Sequence, residues 1–539
     1  IPNGAGNGAN AIDLIGQSTA DDGVTADYTT FGPNEGPKLY GLYDPNHIEI
    51  DSTHHRLFVS ETAQGRVLVY NLNSSNQLVD KSPDFVLGQP DFYNVANVTT
   101  QAGTSGPKGM AYDSVNDRLF VADFGNNRVL VFDTATIVNG ENAVNVLGQS
   151  NFTNSAAANT QAGMNSPIDL ALDSANNRLF VEQTGNNRVT VYNVAIGTLI
   201  PNNAGSNGPN ATAVLGQANY TATAAANTQA GLNTPQGIAY DSVNQRLFVS
   251  QTGNNRVSVF DVNSITNGEN AVNVLGQTTF TATASAFSQA GMSFPRGLAY
   301  DSATKRLFVS QAVNNRVTVY NVDPATLIAN TPATDGPNAI NVLGQADYTS
   351  SAATNSQAGL NVPFDLSYDS SNNLLYVVEV SGNRVKIFNA NAAATTTVSG
   401  NVYTDEGNTA IANGKTVRLL INGASAQTTT TSGGTGAYSF TNVNFSAGDI
   451  LTVHLDGGTE KGVTVTRMAS ANVTSLNIYQ DHLIVRDENG VSLSAADLNT
   501  ANDGDADITS IYSDGVTPVV AAGKELYVWT GKTFSPGAA

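Results

Sequence analysis

The side chains able to do chemistry in this chain are few and unevenly placed. There is no cysteine, so neither a thiol nucleophile nor a disulfide is available. Histidine occurs at His47, His54, His55, His454 and His482 only. Three of these crowd into one short stretch, so a set of three imidazoles drawn from separate segments, as a catalytic zinc site uses, is not expected. No Gly-x-Ser-x-Gly turn presents a serine nucleophile. The stretch holding Asp497, Asn499, Asp503, Asp505 and Asp507 is dense in oxygen donors and is a candidate calcium loop. It lacks the regular spacing around a glycine and the closing glutamate, so a polar turn is the competing reading.

Arginine is distributed by a rule. Eleven of the fifteen fall in two columns, Arg56, Arg118, Arg178, Arg246 and Arg306, then Arg66, Arg128, Arg188, Arg256, Arg316 and Arg384. A group that recurs in every copy of a repeat reads as structure. Its rigid five-donor fork can bridge segments by holding backbone carbonyls. The recurring acids Asp51, Asp113, Asp173, Asp241, Asp301 and Asp369 are plausible partners, and they also suit turns.

The candidate binding residues stand where the copies disagree. A recurring proline (Pro45, Pro107, Pro167, Pro235, Pro295, Pro363) precedes two variable residues. These are Asn46-His47, Lys108-Gly109, Ile168-Asp169, Gln236-Gly237, Arg296-Gly297 and Phe364-Asp365. Of them His47, Lys108, Asp169, Gln236, Arg296, Phe364 and Asp365 are the ligand-binding candidates. Glu182 joins them, because four other copies carry Ser or Ala there. A solvated rim without function is the competing reading.

A repeat positions all of these residues. A Gly-Gln step ends at Gln17, Gln89, Gln149, Gln217, Gln277 and Gln345, and the next Arg-Val step begins 39 residues later in every copy but the first. Self-similarity of this period is the mark of a repeat architecture. Within one copy, Gly237 to Tyr240, Arg246 to Ser250, Arg256 to Phe260 and Ala271 to Leu275 read as short strands split by Asp-Ser and Gly-Asn-Asn turns. Four-stranded units arranged radially make a β-propeller, here with six blades. A Leu-Ile-Gly-Gln step precedes the first blade and none follows Arg384 to Phe388. Ala11 to Gln17 is therefore expected to supply the outer strand of the last blade and close the ring. The variable pairs then surround one mouth of the central channel.

The runs P-x-G-x-A-x-D, R-L-F-V and N-N-R-V-x-V-F resemble the NHL-repeat family of six-bladed propellers over roughly residues 10 to 390. That resemblance implies fold and leaves function open, since such propellers host enzymes and binding modules alike. Propeller lyases of the amidating type use several channel histidines and a metal, a set this chain lacks. Beyond the ring, Ser399 to Tyr403, Thr416 to Leu420, Gly436 to Phe440 and Asp449 to Val453 resemble an Ig-like sandwich of the carboxypeptidase-regulatory or Cna-B type. Such domains serve as stalks. No lysine stands in the first of these strands, so an isopeptide bond is not carried over.

The expected organisation is all-β: a propeller over residues 1–392, an Ig-like sandwich over 393–458 and a small β domain over 459–539. The chain carries 44 acidic against 24 basic residues, a net charge of −20, which argues against nucleic-acid binding. Only 13% of residues are charged, a composition that suits an exported surface protein. No apolar run is long enough for a membrane span. The chain begins at Ile1, which suggests a leader already removed. The expected role is a non-enzymatic structural or adhesive subunit of an extracellular filament, sheath or surface layer. Its expected partners are copies of itself or other surface proteins. A monomeric glycan- or peptide-binding module is the alternative, and a propeller lyase a third. No cofactor is expected other than calcium at the acidic loop.

Overall fold

The computed structural model describes residues 10–16, 41–198, 209–327, 337–390, 395–445, 448–468, 473–488, 490–515, 517–530 and 534–535. Gln17, the residues before position 10 and most of the Thr533 to Gly537 segment lie outside these. The chain divides near Asn391 and Ala392 into two compact units.

The first unit contains six four-stranded antiparallel sheets. The second sheet shows the pattern: Pro107–Asp113 innermost, then Arg118–Asp123, Arg128–Asp133 and Asn145–Leu147 outermost. Each inner strand packs against the next around the ring, and the sixth packs against the first. Inner strands are longer than the sequence suggested (Pro235–Asp241) and outer strands shorter (Asn273–Leu275).

The repeated residues are the joints of this ring. In four members of the first arginine column, Arg56, Arg118, Arg178 and Arg306, the guanidinium holds the aspartate at the start of its hairpin: Arg56 Nη2 donates to Asp51 and Arg178 Nη2 to Asp173, both at 2.6 Å. It also reaches the following blade, Arg56 to the Thr134 carbonyl, Arg118 to Val194 and Arg178 to Val262. The Phe of R-L-F-V meets the Tyr of the next inner strand, as Phe58 does Tyr112 and Phe248 does Tyr300. The second arginine column is fully buried and does not use those aspartates. Its partner is the residue five positions earlier, Glu61, Asp123 or Glu379 where an acid stands there, together with carbonyls of the Q-A-G loop. The pairing expected for this column is thus corrected: strand register sets Asp123 opposite Arg128, whereas Asp113 lies opposite Arg118.

The Gly-Gln step has an equally local cause. Gly148 and Gly216 take φ of +85° and +83°, open to glycine at little cost. The glutamine amide then clamps two carbonyls, Gln149 donating to Asn127 and Ala156 at 2.9 Å each.

The ring closes as the sequence anticipates. Asp13–Ile15 is the outer strand of the last sheet, with Asp13 opposite Ile387, Leu14 opposite Lys386 and Ile15 opposite Val385. Gln357 donates to the Ala11 carbonyl at 2.6 Å and accepts at its own carbonyl from the Ala11 amide. Gln101, Gln161, Gln229 and Gln289 make the same side-chain bond to Ala143, Ala211, Ala271 and Ala339. Ala11 thus occupies the place that the approach to a later outer strand fills in the second to fifth blades.

In the second unit Thr395–Tyr403 pairs with Ala437–Asn444 and Ile478–Tyr479 in a three-stranded sheet. A six-stranded sheet runs Ala424–Thr430, Thr416–Ile421, Ile450–Leu455, Val463–Arg467, His482–Asp487, Glu525–Val528. The boundary expected at residues 458/459 is corrected, because Ile450–Leu455 hydrogen-bonds across it to Val463–Arg467 and the sheet continues. Two short helices, Ala495–Ala501 and Ala506–Thr509, also interrupt the expected all-β pattern. The first starts at a capping box in which Ser494 and Asp497 bond each other's backbone amides.

Candidate functional site: the mouth of the propeller channel

Each inner strand begins with a register shift just after its proline, as between Pro167 and Asp169. The shift separates the two variable residues. The first is half-buried in four blades, as Lys108, Gln236, Arg296 and Phe364. The second is buried in all six. Where it is glycine, a neighbouring strand uses the space. A Cβ on Gly109 would collide with Asp169, and one on Gly297 with Asp365.

The outer layer is cationic and aromatic. The Arg296 guanidinium lies 4.3 Å from the Phe364 ring centre, and Lys108 Nζ lies 4.0 Å from that of Phe124 and 6.0 Å from that of Phe364. Arg296 donates to Gln236 Oε1 at 2.9 Å, and the Gln236 amide donates to Thr184 at 3.1 Å. Neither Lys108 nor Arg296 has a carboxylate at ion-pair distance among the described residues. Burial, with the nearby Arg296 charge, lowers the Lys108 ammonium to about 8.

The inner layer is acidic. His47 Nδ1 lies 2.6 Å from Asp365 Oδ2 and 3.5 Å from Asp169 Oδ1, so side chains from the first, third and sixth blades meet. Backbone amides of Leu170 and Ile238 fix the Asp169 carboxylate at 2.8 and 2.9 Å. Burial opposes a charge on His47, but Asp365 and then Asp169 outweigh it and hold the imidazolium up to about 9. Burial raises Asp169 to about 7. Glu182 is fully buried opposite Asp169, and neither of its carboxyl oxygens has a hydrogen-bond partner. Burial pushes it far above the usual carboxylate range, and the Asp169 and Asp365 charges push the same way. On one side this layer walls a cavity of about 10 Å³. On the other, the inner strands line a channel cavity of about 330 Å³.

All eight residues singled out at the mouth therefore gather there, in two layers the sequence did not separate. Phe124, beneath Lys108, was missed. It sits in the turn after the second strand, where three other copies place Thr and the remaining two Ala312 and Val380, so the lone aromatic ring was the available signal.

The acidic loop is different. Asp497 caps its helix and meets Arg467 at 2.5 Å. Asn499 donates to the Gly515 carbonyl. Asp503 accepts from the Asp505 amide, Asp505 reaches Arg418, and Asp507 meets Lys461 and the Gly457 amide. Neither group of metal-capable side chains found among the described residues includes any of them. One is His47, Asp169 and Asp365, with donor atoms within 4.8 Å of one another. The other is His482 with the exposed Glu406 and Glu525, in the second unit.

Residues 104–132 match the NHL repeat. The six radial sheets make the first unit a β-propeller, and the NHL match falls within its second blade. A search of curated proteins finds no match. Among solved structures, the β-propeller domain of Cps50 (Swd1) from Myceliophteria thermophila shares 8% identity over 67% of this chain and 99% of its own, with a TM-score of 0.38. A protein of unknown function from Bacteroides thetaiotaomicron shares 15% over 70% of this chain and 75% of its own, at 0.40. Hydrazine synthase from Kuenenia stuttgartiensis shares 11% over 66% and 98%, at 0.38. At these TM-scores the propeller assignment rests on the sheets themselves.

Proposed function

We propose that this chain is an exported, non-enzymatic interaction protein whose propeller mouth binds a carboxylate-bearing glycan or peptide. One observation carries the reading. A chain of net charge −20 sets two cations on one aromatic face at the opening of its channel, neither within ion-pair distance of a carboxylate among the described residues. Arginine stacked on an aromatic ring keeps its donors pointed outward for a planar anion. Export is supported by the sparsely charged, small-residue composition. The non-enzymatic reading is supported by the missing nucleophile and by histidines that do not converge.

Glycan and peptide arrays probed with the full chain test this. Carboxylate-bearing ligands should bind, and Arg296→Ala with Lys108→Ala should weaken them by about ten- to a hundredfold, the loss expected for a charged hydrogen-bonding pair. Equal binding of the uncharged analogue, or no effect of the double variant, refutes the reading.

A second reading, self-assembly into an extracellular polymer, is favoured by the Glu525–Val528 strand. It is the last strand of its sheet, with Leu526 and Val528 exposed, and open edges of that kind template association. Electron microscopy should show ordered polymers that vanish when Leu526 to Ala539 is deleted. Single particles before and after deletion contradict it.

A further inference from the structure

We propose that the inner layer of the channel mouth seats one divalent cation on His47, Asp169 and Asp365, with Glu182 behind them. This goes beyond the carboxylate-binding reading, which concerns the outer layer only.

Three independent observations lead there. The first is convergence. Three donors of metal-ligating type arrive from three blades, and glycines at 109 and 297 in the neighbouring blades leave the room that Asp169 and Asp365 occupy. The second is an unmet need. Glu182 is fully buried with both oxygens orphaned, and the two acids beside it oppose any charge it carries. Within the cluster one imidazole stands against three carboxyl groups, and buried charges of one sign are costly unless paired or metal-bound. Lys108 and Arg296 are the nearest cations of the mouth, but neither reaches this layer at ion-pair distance. The third is space. The cavity bordered by His47, Asp169 and Asp365 measures about 10 Å³, room for a single water or ion.

The donor chemistry narrows the cation. One imidazole nitrogen with carboxylate oxygens suits a first-row divalent ion such as Zn²⁺ or Mn²⁺ better than Ca²⁺, which takes more ligands and prefers oxygen throughout. Bonds of about 2.0–2.1 Å at tetrahedral angles set donors roughly 3.3 Å apart. The His47 to Asp169 spacing of 3.5 Å already fits. The His47 to Asp365 spacing of 2.6 Å requires the Asp365 oxygen to withdraw by less than about 1 Å as the ion replaces the shared proton. Such an ion would pin three blades of the ring together. The carboxyl of Glu182, which is not among the mutually close donors, would gain a facing cation rather than serve as a ligand.

The full chain, stripped with a chelator, is titrated with Zn²⁺ and with Mn²⁺ by calorimetry, and its unfolding is followed in two ways. Far-UV circular dichroism reports mainly the propeller, while the only tryptophan, Trp529, reports the second unit. One equivalent should bind and raise the circular-dichroism transition while the Trp529 transition stays put. His482→Ala, which dismantles the other metal-capable group, should leave that equivalent intact. Asp169→Asn and Glu182→Gln should each weaken binding by tenfold or more, and Lys108→Ala with Arg296→Ala should not change it. No binding by the wild type overturns the proposal, as does binding that His482→Ala abolishes or that shifts only Trp529. Where an inner-layer variant fails to fold, the wild-type and His482→Ala titrations decide alone.

Discussion

Replacing Arg128 by methionine isolates what a buried arginine of the repeat contributes. Methionine keeps the aliphatic stem and removes the fork. In the folded ring Arg128 Nε donates to Asp123 at 2.7 Å, one terminal nitrogen to Thr100 and Gly103 at 3.0 and 2.9 Å, and the other to Phe152. The substitution leaves three carbonyls and a fully buried carboxylate without their cation. Breaking one partner out of a buried ion pair costs about 3–5 kcal/mol. With a urea dependence of about 3 kcal/mol per molar, the midpoint should fall by roughly 1–1.7 M. Arg256 provides the comparison. The residue facing it is Gln251, so Arg256→Met strands no charge. Its loss is confined to the carbonyls of Thr228, Gly231 and Phe280 and should be about 2–3 kcal/mol. Circular dichroism in urea measures both, with Trp529 emission as the internal control. Equal shifts for the two variants, or a shift below about 0.2 M for Arg128→Met, refute the assigned role of the pair.

Other outcomes follow from the same contacts. Gln357→Ala removes the clamp on Ala11 and should cost the propeller about 1 kcal/mol, read from its urea midpoint. Gly297→Ala drives a methyl group into Asp365 and should destabilise the ring by about 1–3 kcal/mol, whereas Gly414→Ala, in open space but at a φ of +80°, pays only backbone strain of about 1–2 kcal/mol. Because Lys108 loses its charge near pH 8, carboxylate binding at the mouth should weaken as pH rises from 7 to 9, and Lys108→Arg should flatten that profile. Calcium should leave the Trp529 transition unmoved, since the carboxylates of the acidic loop are committed to caps, Arg467, Arg418 and Lys461.

The ring was legible because most repeated residues do one local thing in most copies. Asp-Ser makes the turn, Gly-Gln ends the outer strand, and the arginines hold what surrounds them. The missing seventh Gly-Gln step even pointed to Ala11 as the closing partner. The two layers of the mouth were not legible. They arise from a register shift after proline, which no residue type announces, and from glycines whose use depends on the neighbouring blade. Partners for Arg128 were misjudged because Asp113 and Asp123 are equally acidic in sequence, and strand pairing alone separates them. In the second unit, parallel pairing of Val463–Arg467 with His482–Asp487 joins segments across an expected boundary. Hydrophobic alternation specifies which residues face inward but not which strand lies alongside. The acidic loop misled for a related reason: Ser494 and Asp497 already spelled a helix cap, and the density of carboxylates drew the reading toward metal.

Every statement about the mouth presumes an unbroken circle of blades, because His47 and Asp365 come from the first and the last. Hydrogen exchange of the amides in Asp13–Ile15 examines that circle directly. The account expects protection comparable to that of Arg384–Asn389, the strand they pair with, and joint loss when the propeller unfolds. Exchange of Ile12, whose amide donates to the Ile387 carbonyl, and of Ile15 at the rate of an unstructured peptide, while Arg384–Asn389 stays protected, would contradict it.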